Sequence, residues 1–299
     1  MENLLKNCTL CPRNCGADRI SGKIGYCSAD NTIKIAKASL HFWEEPVLSG
    51  TNGSGTVFFS GCPLRCIYCQ NAKIALLKTG KEISVSRLCD IFFELEEKGA
   101  HNINLVTPTH YSAQIIKAIE LAKAKNFSLP FVYNTSGYEK CETLKNLSGL
   151  IDIYLPDFKY INSKTAQNYS NAPDYPEIAK SAISEMFRQV GKITFSENNM
   201  AKSGLICRHL VLPGHIIEAK QIIKYLYTTF KDDIFISIMN QYTPMSDFKS
   251  FPNLSRKISE REYKSVTDYA VSLGVKNAFI QYGDTAKESF IPDFDLSGV

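Results

Sequence analysis

The chain has 299 residues, 44% of them hydrophobic and 21% charged, which fits one barrel-sized globular domain plus an appendage. Its net charge of +4 comes without a basic block, so no nucleic-acid partner is expected, and its longest apolar runs are strand-length, too short to span a membrane. The opening residues Met1 to Cys8 lack the apolar stretch of a signal peptide, which predicts a cytoplasmic protein, and ten cysteines in such a chain point to metal and not to disulfides.

Residues 1–50 read as the appendage. Cys8, Cys11, Cys15 and Cys27 stand at C-x2-C-x3-C-x11-C spacing. Four thiols so close can close a structural zinc site or hold a second iron–sulfur cluster, and the spacing does not choose between them. His41-Phe-Trp-Glu-Glu-Pro46 follows. Two carboxylates beside an imidazole have the chemistry for proton transfer, but the run reads as a packed aromatic anchor with solvated charges. Gly50 to Gly55 lacks the Lys-Ser/Thr ending of a phosphate loop and reads as a turn.

From residue 51 to 299 the pattern alternates strand and helix. Gly55–Gly61 is a predicted strand, Ser84–Gly99 a helix with Leu88, Ile91, Phe92 and Leu95 on one face, and Asn102–Val106 a strand. A helix around Ile115–Ala122, a strand at Phe131–Tyr133, a helix over Tyr138–Leu147 and a strand at Ile151–Leu155 follow. Then come a helix near Pro176–Val190, a strand at Leu205–Leu212, a helix at Ile216–Phe230, a strand at Ile234–Ile238, a helix at Arg261–Leu273 and a strand at Ala278–Gln281. Such alternation means a parallel sheet clothed in helices, as a doubly wound sheet or a barrel. No G-x-G-x-x-G follows the first strand, which weakens a dinucleotide fold. Polar groups recur after each strand, as a barrel mouth requires. Cys89, Cys141 and Cys207 stand alone and read as small apolar residues without a function.

The stretch with the most specific chemistry is Cys62-Pro-Leu-Arg-Cys66-Ile-Tyr-Cys69, three thiols at C-x3-C-x2-C after the first predicted strand. Ordinary zinc and four-cysteine cluster sites are closed by four ligands. Three leave one metal valence open for chemistry, unless a zinc loop borrows its fourth ligand from elsewhere. Phe58, Phe59, Ile67 and Tyr68 would supply an apolar shell that lowers a cluster's reduction potential. Arg208 and His209 alternate across a strand; one should face the mouth, and Arg208 suits a carboxylate.

This motif resembles the cluster loop of radical S-adenosylmethionine (SAM) enzymes. From about Cys8 to Gln281 the chain resembles the PflX family, named for likeness to pyruvate formate-lyase activating enzyme. The resemblance rests on Cys11-Pro-Arg-Asn-Cys15, His41–Pro46, Phe58–Cys62, Asn102–His110, Val132–Tyr138, Asp152–Tyr160, Arg208–Gly214 and Asn240–Tyr242. It implies an α/β fold, a partial (β/α)6-type TIM barrel with a small cysteine-rich N-terminal extension. It also implies a 4Fe–4S cluster on Cys62, Cys66 and Cys69, whose fourth iron chelates SAM, with Tyr68 beside the adenine. Thr107 and Thr109 replace the usual Gly-Gly-Glu, and Asn134 replaces an Asp. Asp157, Lys159 and Arg208 match positions expected near bound SAM. The implied reaction is reductive cleavage of SAM to a 5′-deoxyadenosyl radical that takes hydrogen from a partner protein or a small molecule. A reductant such as flavodoxin or ferredoxin would feed the cluster. A non-catalytic electron carrier and a zinc-stabilised binding module are the competing readings.

Overall fold

The computed structural model describes residues 2–77, 79–281 and 292–299. A short helix, α1 (Glu2–Lys6), precedes a cysteine-bearing loop. Then come β1 (Ile33–His41), α2 (Pro46–Ser49), β2 (Ser54–Phe59), α3 (Ala72–Ala75), β3 (Lys81–Ile83) and α4 (Val85–Glu97). The middle of the chain gives β4 (Ile103–Val106), α5 (Ser112–Ala124), β5 (Phe131–Thr135), α6 (Cys141–Lys145), β6 (Ile153–Pro156), α7 (Ser163–Ser170) and α8 (Tyr175–Val190). The last part gives β7 (Thr194–Phe195), β8 (Ala201–Leu210), α9 (Ile216–Phe230), β9 (Phe235–Met239), α10 (Glu260–Ser272) and β10 (Ala278–Ile280).

Strands β2, β4, β5, β6, β8, β9 and β10 pair in that order, all parallel. Each crossover carries at least one helix, so every strand's carboxyl end opens on the same side. The sheet does not close among the described residues: β10 lies at one edge and β3 at the other. The sheet is thus open and parallel-rich, in line with a partial and not a closed barrel. Two antiparallel strands, absent from the expected elements, extend it beyond β2. β1 pairs with β2 from Ile35–Phe59 to His41–Ser54, and β3 pairs with β1. Residues 33–41, assigned by sequence to the appendage, thus sit in the main sheet.

Local chemistry explains most of the elements. The Ser84 hydroxyl caps α4 by accepting the Arg87 N–H, and Leu88, Ile91, Phe92 and Leu95 bury the expected face. Helix α9 has the predicted bounds. The helix expected over Tyr138–Leu147 shrinks to α6. Gly137 has φ +76° and no room for a Cβ against the Asp157 carbonyl, Tyr138 donates its hydroxyl to Asp174 at 2.8 Å, and Lys140 is extended. Helix α7 went unforeseen in a polar stretch. The Asn162 side chain accepts the N–H groups of Lys164 and Thr165, and Asn171 closes the helix in the left-handed region, φ 47°.

Candidate functional site

The loop after β2 carries the three thiols to the sheet's carboxyl edge. Its entry needs glycine: Gly61 has φ +94°, and a Cβ there would lie 2.8 Å from the Cys27 carbonyl oxygen. Main-chain bonds then pin the loop. The N–H of Gly61 donates to Ile74 O (2.8 Å), that of Cys62 to Cys27 O (3.2 Å) and that of Ile67 to Tyr169 O (2.9 Å). All three cysteines border a cavity of about 610 Å³, within the range of small-ligand sites. Every parallel strand adds a group at its carboxyl end, among them Phe59, Thr107, Asn134, Asp157, Arg208, Gln241 and Gln281.

Burial pushes the Cys62 thiol up to about 11 and the Cys69 thiol up to about 12, with Cys66 nearby adding to both shifts. Loading a metal must therefore displace protons. Among the described residues no group of three or more His, Cys, Asp or Glu side chains is closed to ligating geometry. The donor set nonetheless suits an iron–sulfur cluster: soft sulfurs, an apolar floor of buried Phe58 and Phe59, and open space alongside. Ile67 does not join that floor; it is 43% exposed. Tyr68 is buried with its ring edge-on to Tyr160, Tyr169 and Tyr242.

Thr107 borders the cavity with φ +58°, a strained state for a β-branched residue that sequence cannot reveal. Its N–H donates to Asn134 O at 2.9 Å. Thr109 does not reach the cavity lining. It is buried and donates its hydroxyl to Glu139 at 2.5 Å. Asp157 and Lys159 form an ion pair of 2.6 Å at the cavity wall. Although burial opposes it, Asp157 with Cys66 carries the Lys159 ammonium above its ordinary value.

Arg208 faces the cavity and His209 turns away, its Nδ1 2.8 Å from Phe158 O. The carboxylates that Arg208 binds are the chain's own. Its Nε meets Glu45 Oε1 at 2.8 Å, Nη2 meets Glu45 Oε2 at 2.5 Å, and Nη2 also donates to Glu44. This corrects the solvated-charge reading of His41–Pro46, since the Glu44 and Glu45 side chains are only 8% and 5% exposed. In the same run Phe42, Trp43 and Pro46 are the exposed members. Burial opposes both charges, yet Arg208 holds the Glu45 carboxyl below its usual range. A buried guanidinium at a strand end demands carboxylates, and that demand was the sequence signal for Glu44 and Glu45.

Cys8, Cys11 and Cys27 are buried and Cys15 is exposed. The Cys15 and Cys27 sulfurs flank Gly25, 3.3 and 3.5 Å from where its Cβ would be. Arg19, fully buried, donates to Asp30 O (2.9 Å) and His110 O (2.6 Å), and its Nη1 lies 3.9 Å from Cys8 Sγ.

Residues 56–196 match the sequence model of the Radical SAM superfamily, a span that holds Cys62, Cys66 and Cys69 and runs from β2 past α8. The chain is also 27% identical over 278 residues to the uncharacterized protein MJ0674 of Methanocaldococcus jannaschii, covering 90% of this chain and 75% of that one. Its fold is similar to that of Streptococcus suis SuiB, solved bound to the precursor peptide SuiA, with a TM-score of 0.50 and 14% identity. That likeness covers 75% of this chain and only 47% of the SuiB chain.

Proposed function

We propose that this protein is a radical SAM enzyme of the PflX type that acts on a partner polypeptide or a small molecule. The observation that carries the proposal is the loop of Cys62, Cys66 and Cys69, set beside a cavity that all seven parallel strands help to line. A 4Fe–4S cluster on those thiols with SAM would supply one-electron cleavage of the sulfonium and a carbon radical able to abstract hydrogen. The chain's own residues bind, orient and exclude water. Tyr68, Thr107, Asn134, Asp157 and Lys159 line the cavity as the groups that would hold the nucleoside and amino-acid ends of SAM. Arg208, neutralised by Glu44 and Glu45, shapes the wall and leaves no free guanidinium for a ligand carboxylate. Thr109 falls outside this set.

The SuiB structure contains a precursor peptide, which favours a polypeptide substrate, as an activase-like role requires. We assign a second metal, zinc or iron–sulfur, to Cys8, Cys11, Cys15 and Cys27. The buried Arg19, whose donors go to carbonyl oxygens, suits an anionic tetrathiolate beside it. A small electron-transfer protein such as flavodoxin or ferredoxin would be the donor. All ten cysteines are free, which suits a reducing compartment such as the cytoplasm.

The test is anaerobic reconstitution with iron, sulfide, SAM and a reductant. 5′-Deoxyadenosine should form, and Cys66→Ala should abolish both it and the cluster's visible absorption. Protein that binds zinc alone at Cys62–Cys69, or takes a cluster yet leaves SAM intact, would refute the proposal.

A further inference from the structure

Helix α7 ends against the cluster loop, and its last residue reaches a candidate cluster ligand. Ser170, 3% exposed, places its hydroxyl 3.0 Å from Cys66 Sγ as donor. Behind it, Tyr160 OH is 2.8 Å from Ser170 Oγ and Tyr68 OH is 2.8 Å from Tyr160 OH. All three hydroxyls are buried. Each carries one hydrogen that turns to suit its partners. A ligating thiolate has none to give, so Ser170 commits its hydrogen to sulfur. Its oxygen faces the Tyr160 hydroxyl, and Tyr160 donates its own hydrogen to Tyr68. The main chain at this end is fixed as well. Arg13, between Cys11 and Cys15, donates to Ser170 O (2.8 Å), to Asn171 O and to Pro63 O (2.8 Å), tying the end of α7 to the cluster loop.

We infer that Ser170 is a positioning residue that sets the reduction potential of the cluster through its hydrogen bond to Cys66. The inference rests on the radical SAM reading above. Reduction adds negative charge to the cluster sulfurs, so a donor on a sulfur stabilises the reduced form more than the oxidised one. Burial of Ser170 strengthens that donation.

The experiment is an anaerobic redox titration of the reconstituted protein, followed by electron paramagnetic resonance. Ser170→Ala should disfavour reduction by about tenfold, a shift of about 59 mV to more negative potential for one electron. Ser170→Thr, which keeps the hydroxyl, should restore the wild-type value. Tyr160→Phe, which leaves the Ser170 hydroxyl on Cys66, should move the potential by only a small fraction of that shift. An unshifted Ser170→Ala protein, or a Ser170→Thr protein displaced as far as the alanine variant, overturns the inference. If Ser170→Ala does not fold, Ser170→Gly takes its place, and an unshifted potential in that variant overturns the inference in the same way. A wild-type chain that takes no cluster fails at the earlier step and overturns the radical SAM reading itself.

Discussion

At the scale of single residues, two buried acids behave in opposite ways because of what faces them. Glu45 meets a guanidinium and is held ionised, whereas Glu139 meets only neutral donors. Its Oε1 accepts the hydroxyls of Thr109 (2.5 Å) and Thr135, its Oε2 has no partner, and burial raises its carboxyl to about 7. The folded state therefore holds a proton that the unfolded chain releases near the ordinary value of 4.5. The stability that this proton brings is complete below pH 4.5 and disappears as the pH climbs through about 7. Relative to Glu139→Gln, the wild type should lose up to about 3 kcal/mol across that window, as read from denaturant midpoints. Parallel curves for the two proteins would contradict this. The family resemblance marked Thr109 as a ligand-facing group, because Thr107-Pro-Thr109 stands where Gly-Gly-Glu is usual. It could not see that a 3-10 turn at Thr109–Tyr111 rotates the side chain inward to Glu139.

At the scale of elements, periodicity exposed the helices that pack an apolar face and missed those held by end chemistry. Helices α4 and α9 have regular buried stripes, Leu88-Ile91-Phe92-Leu95 and Ile222-Ile223-Leu226, and were legible. In α7, Ala166 and Tyr169 are the apolar residues buried, with Ser170 beside them, too weak a stripe to read; its existence depends on Asn162 and Asn171. Asn162→Ala removes an acceptor for two N–H groups at 2.8 and 3.3 Å. It should cost about 1 kcal/mol, measurable by chemical denaturation, and should loosen the contact of Tyr169 and Ser170 with the cluster loop. Strands β1 and β3 escaped for another reason. A strand at a sheet's antiparallel margin is specified by the partner it finds, and β1 finds β2 only after the intervening turn has formed. The cysteine trio needed no such context, because ligand identity and spacing are local properties of the chain. The Arg208–Glu44–Glu45 group did need it, since 163 residues separate Glu45 from Arg208.

At the scale of the whole molecule, the segment bearing the first four cysteines is fastened to the rest by specific bonds. Arg13 grips Pro63 and Leu64 on one side and Ser170 and Asn171 on the other. The hydroxyl of Thr143 donates to Leu10 O at 2.7 Å, and Ala113 packs with Leu5, Cys8 and Leu10. Arg13→Ala should cost about 2–3 kcal/mol, since its hydrogen bonds carry a charge. It should also speed hydrogen exchange at the Cys62 and Ile67 amides, which anchor the loop to Cys27 and Tyr169. Unchanged exchange there would mean that the segment merely abuts the loop. This docking also has a consequence for biosynthesis. Translation delivers Cys8 to Cys27 before residues 61–64 and 110–171, which cover that segment in the folded chain. Until those residues emerge the nascent thiols lack this cover, and of the four only Cys15 is exposed once the chain has folded.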